Sequence, residues 1–248
     1  MYIDIKHLSF SYNEEKEILT NISFSAENNE SIGIVGANGA GKSTLLKLIV
    51  GLFLKFQGDI CIDGLSVEKS SLTEIREEIG YVFQDSNNQL FMSTVFEDVA
   101  FAMRNYGASE EEIDKRVDDI LLQLNIFHLK HKYIHQLSGG EKKIVSIATA
   151  LSMSPKIILM DEPSIELDPR NRRNLINILN SLKCFKIIAS HDLDMILETC
   201  QRVILISNGK IISDGNSYNI LSDKALLVEN GLELQLCMCN YLTNNNYN

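Results

Sequence analysis

The run SIGIVGANGAGKSTLLKLIVGL, Ser31 to Leu52, limits what this chain can fold into more than any other part of it. Ser31–Gly36 is a short apolar strand that passes straight into glycine-rich sequence, and Leu45, Leu48, Ile49 and Leu52 then recur at helical spacing. Between strand and helix, Gly36–Thr44 reads GANGAGKST and fits G-x-x-x-x-G-K-[ST] at every fixed position. Gly36, Gly39 and Gly41, with Asn38 among them, let the backbone curl until successive N–H groups point at one anion, and the helix start adds partial positive charge. Lys42 is then placed to reach the β- and γ-phosphates of a nucleotide, and Ser43, followed by Thr44, to put its hydroxyl on Mg²⁺.

The rest of the chain supplies the sheet such a unit needs. Ile3 and Ile5, then Ile22, Phe24 and Ala26, alternate as half-buried strands do. GDICIDG reads as a hairpin, and YVFQ as a strand ending at Gln84. From Asn87 to about Ser152 the pattern is helical: Ser109 with Glu112 makes a capping box, and Ile113, Val117, Ile120, Leu121 and Leu124 form one stripe. KIILMDEP and KIIASHD are buried strands, with a helix carrying Leu175, Leu179 and Leu182 between them. Leu193, Ile196, Leu197 and Cys200 mark one more helix, and RVILIS and KIISDG flank the hairpin turn Asn208–Gly209. The expected fold is α/β, a P-loop NTPase with a RecA-like, mainly parallel sheet covered on both faces. The first strands and the last hairpin are expected as an antiparallel β subdomain, and residues 87–152 as an inserted helical subdomain. One domain spans 1–242, and the tail 243–248, TNNNYN, is expected to be disordered.

Composition narrows the function. A net charge of −10 repels phosphate backbones and anionic headgroups, so no nucleic-acid partner is expected. Five cysteines without regular spacing point to reduced thiols rather than a disulfide framework, with Cys237 and Cys239 either a soft-metal pair or simply packed or exposed to solvent. The N-terminus lacks a signal-peptide core, and LLKLIVGLFLKF is too short to span a bilayer and is broken by Lys47 and Lys55. A membrane role would need a separate membrane partner.

Asp161 and Glu162 close a buried strand, where such folds place their chemistry. Read alone, the pair could be only a strand terminus. Beside a phosphate loop it favours hydrolysis, one carboxylate holding Mg²⁺ through water and the next orienting or deprotonating the attacking water. Gln84 could touch Mg²⁺ or that water. His191 could contact the γ-phosphate or the water, or be a satisfied polar group at the edge of the core.

LSGGEKK, Leu137–Lys143, holds a second helix entrance. Ser138 and Glu141 fit a capping box, and Ile144, Ile147, Ala148 and Leu151 supply its apolar stripe. Gly139 and Gly140 strip side chains from that entrance, which suits close approach of a phosphate. Gly36–Thr44, Gln84, Leu137–Glu141, Ile157–Pro163, Asp168 and His191 stand in the order seen in ATP-binding cassette (ABC) ATPases, and the resemblance covers nearly the whole chain. It implies ATP and Mg²⁺ as cofactors, with Asp161, Ser43 and Gln84 toward the metal and Glu162, Gln84 and His191 toward catalysis. It also implies a head-to-tail dimer with a second ABC ATPase subunit, identical or not, in which Ser138, Gly139, Gly140 and Glu141 cap the partner's nucleotide. Tyr12 matches the aromatic that stacks on adenine, although it could be a plain strand residue. Asp168 lies in the loop that crosses the dimer interface.

Val82–Gly107 further resembles the cassettes of energy-coupling-factor (ECF) importers, and LSGGEKK, SHDLDM and Asn230–Leu234 look most like cobalt or nickel importer ATPases. Thr94 with Glu97 caps a helix there, and Leu90, Phe91, Met92, Phe96, Val99 and Phe101 are more apolar side chains than one core-facing stripe uses. Either that helix is buried all round or, as the resemblance implies, a membrane coupling protein docks near Gln89–Met103, with a separate substrate-binding membrane subunit. The chain would then sit on the cytoplasmic face of the cell membrane. Another class of ABC transporter, or a soluble non-transport cassette, is the alternative. His128, His131 and His135 have the spacing of one helix face, but Lys130 and Lys132 interleave and a structural role is expected. Two departures from the family pattern stand out: Ile144 replaces an Arg, and Ile165–Glu166 replace small residues before Leu167–Asp168.

Overall fold

A computed structural model describes residues 2–13, 16–27 and 30–233. The expected tail 243–248, the Cys237–Cys239 pair, the 242 boundary and Leu234 lie outside the described residues. In chain order the elements are β1 (Ile3–Ser11), β2 (Glu17–Ala26), β3 (Ser31–Val35), α1 (Lys42–Ile49), β4 (Gln57–Ile62), β5 (Leu65–Ser66), α2 (Leu72–Glu78), β6 (Ile79–Val82), α3 (Val95–Asn105), α4 (Glu110–Gln123) and α5 (Gly139–Leu151). There follow β7 (Ile157–Asp161), α6 (Pro169–Ser181), β8 (Phe185–Ala189), α7 (Leu193–Thr199), β9 (Arg202–Ser207), β10 (Lys210–Asn216), α8 (Ser217–Leu221) and α9 (Lys224–Glu229). The described residues divide into two compact units, one of which runs up to Ile75 and resumes at Phe185, while the other is Arg76–Cys184.

In the first unit, β1 pairs antiparallel with β2 and with β4, and β4 pairs with β5. The apolar alternation of β1 skips a beat between Ile5 and Leu8, and the register shifts there to keep both inside. His7 and Asn21 take left-handed φ values of 50° and 53° at this irregularity, and their N–H groups are taken up by Ser23 Oγ (2.8 Å) and Ser9 Oγ (2.9 Å). The parallel core of the unit is β8–β3–β9. All five residues of β3 are buried, and so are all five of β8. RVILIS therefore joins β3 in parallel, and only KIISDG is antiparallel, which corrects the expectation of an added antiparallel hairpin. The turn between them is as expected, with φ of 48° at Asn208 and 74° at Gly209. On α1 the inward stripe is Leu45, Leu46, Leu48 and Ile49; Leu52 lies past Gly51 (φ 69°), which ends the helix, and is exposed.

The second unit pairs β6 with β7 in parallel and packs α3, α4 and α5 by capped, charge-tied ends. Each fully buried apolar side chain of β7, Ile157 to Met160, contributes roughly 1.5–3 kcal/mol relative to exposure. Complete capping boxes start α3 (Thr94, Glu97), α4 (Ser109, Glu112) and α5 (Ser138, Glu141). Arg116 on α4 donates from Nη2 to Leu151 O (3.1 Å) and from Nε to Ser152 O (3.4 Å), satisfying carbonyls at the end of α5. Lys130 pairs with Asp114 (2.9 Å) and Asp118 (2.6 Å) and stands 5.1 Å from the centre of the Phe96 ring. The three histidines do not share a helix face: His128 lies in the short 3₁₀ turn Phe127–Leu129, His135 in a second, Ile134–Gln136, and His131 between them. Among the described residues no group of His, Cys, Asp and Glu side chains could hold a metal ion.

Candidate functional site

In the first unit, the loop after β3 ends at Gly41, which caps α1 with φ of 106°, a conformation that side chains with a Cβ rarely take. A Cβ there would lie 2.5 Å from Leu19 Cδ2, and one at Gly36 would run into the Ile206 carbonyl. No side chain caps α1, so its first turn is open to an anion. Asn38 and Gly39 form the exposed tip of the loop. Lys42 is buried, its Nζ donating to Gly36 O (2.8 Å) and Ala37 O (3.3 Å), so the cation lies inside the curl that the glycines make. Bare backbone, an uncapped helix start and an enclosed ammonium fit a phosphate chain.

Ser43 is half-buried beside them, and Thr44 Oγ1 is 3.0 Å from Tyr12 Oη. Tyr12 lies just past β1, is 52% exposed, and meets Phe10 and Phe53 edge to face at 5.0 and 5.3 Å. It borders a cleft of about 560 Å³ that Lys55 and Phe56 also line. A ring anchored by its neighbours and open to solvent can receive a flat base. His191 is exposed two residues beyond β8.

In the second unit, Asp161 is the last residue of β7 and Glu162 follows; both are buried. Glu162 takes a left-handed φ of 46°, a strained setting of the kind that collects at functional positions. Gln84 is exposed, two residues beyond the end of β6 at Val82, so the expected strand ends earlier. Asp168 caps α6, accepting from the N–H groups of Arg170 and Asn171 (2.9 Å each) and from Asn171 Nδ2 (2.6 Å). Those bonds, the Asn171 N–H first, hold its carboxyl below the ordinary range. Ile165 is half-buried, and Glu166 takes φ of 64°.

At α5, Ser138 Oγ donates to Glu141 Oε2 (2.9 Å) and accepts from the Glu141 N–H (3.3 Å). The Glu141 carboxylate also accepts from the Ser138 N–H (2.7 Å) and from Lys132 Nζ (3.3 Å). Burial would raise the pKa of Glu141, but these bonds outweigh it and hold the pKa low. The two glycines part company. A Cβ on Gly139 would meet nothing within 4 Å, whereas one on Gly140 would lie 2.5 Å from Asn171 Nδ2. Gly140 is therefore bare because Asn171 packs on it, and only Gly139 keeps open backbone.

Residues 19–165, more than half of the chain, match the family described as ABC transporter. The chain belongs to the ABC transporter family. It is an ABC ATPase, an ATP-hydrolysing transporter subunit with the P-loop fold of that family, as its sequence leads one to expect. It is 38% identical over 237 residues to the energy-coupling factor transporter ATP-binding protein EcfA of Carboxydothermus hydrogenoformans, across 94% of this chain and 87% of EcfA. The structure of cbiO1 from Clostridium perfringens, part of the ABC transporter complex cbiONQ, superposes with a TM-score of 0.83 at 35% identity over 98% of both chains. The dimeric ATP-binding cassette MJ0796, bound to ADP and Pi, matches with a TM-score of 0.78 at 28% identity, over 87% of this chain and 98% of that one.

Sequence reading missed the charged side chains that tie this ABC ATPase together inside. Lys143 is buried on α5, and desolvation lowers its pKa against the pull of Asp85, Glu166 and Asp161. Asp98 is buried on α3; its Oδ1 accepts from the Phe91 and Met92 N–H groups at 3.2 Å each, and burial raises its pKa. The available signal was a charge at a helical position whose neighbours three and four residues away face inward, and a charge alone does not say which way it faces.

The glycine pair separates packing from ligand approach. Gly140→Ala should lose about 1–3 kcal/mol of stability through overpacking against Asn171. Gly139→Ala should keep the melting temperature and still lose ATP turnover, because its methyl would stand where a phosphate approaches. Thermal melts and ATPase assays of both variants check this, and full activity in Gly139→Ala would contradict it.

Proposed function

We propose that this chain is the energy-coupling subunit of an ECF-type importer, hydrolysing ATP to drive uptake of a transition-metal ion, cobalt or nickel, or of a vitamin through separate membrane subunits. The likeness to EcfA and to cbiO1 supports the class of importer. The observation that carries the membrane role is the division of the apolar side chains in residues 89–103. Leu90, Val99 and Met103 are buried and Phe96 is half-buried with Arg104 and Lys130 against its ring, yet Phe91 is 64% exposed and Phe101 38%. The two exposed rings meet edge to face at 4.8 Å, which makes a fixed apolar patch. A helix of a membrane coupling protein would cover it. Gln89 does not share in that surface, because its side chain turns back onto α5. No helix among the described residues is long and apolar enough to cross a membrane, so attachment to the cytoplasmic face would come through such a partner.

Within the reaction we assign Gly36, Asn38, Gly39, Gly41, Lys42 and Thr44 to the phosphates, Tyr12 to the adenine, and Ser43, Gln84 and Asp161 to Mg²⁺. Mg²⁺, when bound, neutralises charge on the β- and γ-phosphate oxygens. Glu162 accepts a proton from the attacking water, and Gln84 and His191 orient that water or the γ-phosphate. Ser138, Gly139 and Gly140, ordered by Glu141, close on the triphosphate held by a second ABC subunit, with Asp168 at the interface. ATP favours the closed pair because it touches both subunits only there.

Purifying the assembled transporter in detergent should yield a transmembrane coupling protein and a distinct substrate-binding membrane subunit. Replacing Phe91 and Phe101 together with Asp should release the cassette from both while it still binds ATP. Recovery of neither subunit with the wild-type chain would contradict the ECF reading. Glu162→Gln should leave ATP affinity intact and lower turnover by about a hundredfold or more, the loss expected when a general base is removed. Unchanged hydrolysis in that variant would take Glu162 out of the role.

A further inference from the structure

The segment that follows β6 is fastened to one face of α5 by side chains that the scheme above leaves unused. Lys143, 3% exposed, donates from Nζ to the main-chain carbonyls of Gln84 (2.6 Å) and Phe83 (3.2 Å). Gln89 closes the other end of the segment. Its Nε2 donates to Ser146 O and to Thr149 Oγ1, both at 2.7 Å, and its Oε1 accepts from the Phe83 N–H at 3.0 Å. On the outer edge, Lys142 Nζ donates to Asn87 Oδ1 at 2.9 Å.

These contacts form one device. A short stretch with no regular strand or long helix of its own is held at both ends by α5, while the Gln84 side chain stays exposed at its near end. Bonding a buried ammonium to two carbonyls is an expensive way to fill space, since desolvating a charge costs several kcal/mol and an apolar side chain of similar length fills the same volume without that cost. What the ammonium adds is direction: charge-assisted bonds fix where the Gln84 main chain lies. Beyond Gln89 the chain continues directly into Leu90, Phe91 and Met92, where the Asp98 carboxylate holds the Phe91 and Met92 N–H groups. The path from the exposed Phe91 ring to Gln84 is thus tied at Asp98, Gln89 and Lys143.

We infer that Lys143 and Gln89 are positioning residues for ATP hydrolysis, fixing the main chain of Gln84 to the helix that Ser138 begins. This rests on the role proposed for Gln84. Gln84 and Ser138 are then carried by one rigid piece, and a partner seated on Phe91 acts on both at once.

The test compares Lys143→Met, Gln89→Leu, Gln84→Ala and the Lys143→Met/Gln84→Ala double variant with the wild type as full chains. Amide hydrogen exchange of peptides covering residues 83–89, measured without nucleotide, should speed up by about tenfold or more in Lys143→Met and in Gln89→Leu, as local opening of a freed segment does. α5 itself should keep its protection. Turnover should fall by about tenfold with KM for ATP unchanged, and the double variant should be no slower than Gln84→Ala, as misplacement acting through one residue requires. Wild-type exchange and turnover in Lys143→Met would overturn the inference, as would faster exchange with turnover unchanged. If Lys143→Met does not fold, the same two readings on Gln89→Leu decide. Full turnover in Gln84→Ala would remove the role of Gln84, and the inference with it. An impaired Gln84→Ala beside a normal Lys143→Met would overturn the inference alone.

Discussion

Main-chain N–H groups left bare at a helix start can hold an anion, and this chain has two glycine-containing helix entrances built differently. At α1 the entrance is a left-handed glycine without a cap, filled from inside by the Lys42 ammonium. Fully buried β3 fixes where that loop starts, and a Cβ at Gly36 would strike the carbonyl of Ile206 on β9. At α5 the entrance is closed by its own capping box, and open backbone survives only at Gly139. The first arrangement fits a phosphate chain. The second offers one exposed edge, which suits a cap placed over a nucleotide already held elsewhere.

The second unit is tied together internally by caps and by charge. Its helices start in capping boxes, and its internal ties are charged: Arg116 on the end of α5, Lys130 between two aspartates, Lys143 under Gln84. Burying such groups stabilises little compared with apolar packing, but it fixes direction, because each ammonium or guanidinium has a set of partners it cannot exchange for others without leaving charge unpaired. An apolar stripe can slide; a lysine bonded to two carbonyls cannot.

Most of this was legible where a local rule and the tertiary demand agree. The phosphate loop, the buried strand ending at Asp161, the capping boxes at Thr94, Ser109 and Ser138 and the Asn208–Gly209 turn all appear where short-range chemistry places them. Errors came where the deciding neighbour is distant in sequence. Leu52 kept the helical period but fell beyond Gly51, and RVILIS carries no mark of whether its neighbour runs parallel or antiparallel. Gly140 looked like Gly139 until Asn171, thirty-one positions on, was seen to fill its space. The histidine spacing suggested one helix face, yet two 3₁₀ turns break it. Nothing in LSGGEKK tells which of its two lysines points inward, and it is Lys143 that is buried.

The central claim is that Ser138 of one subunit completes the site built on Lys42 of another. Mixed dimers of this chain carrying Lys42→Ala and Ser138→Arg test it most directly. If each site draws its phosphate loop from one subunit and its Ser138 from the other, changes split between the two subunits fall in the same site and leave the second site whole. Both changes on one subunit, opposite a wild-type partner, then damage both sites. The account predicts clear residual ATP hydrolysis in the split dimer and little when the changes share a subunit, and the reverse order of activities would contradict it.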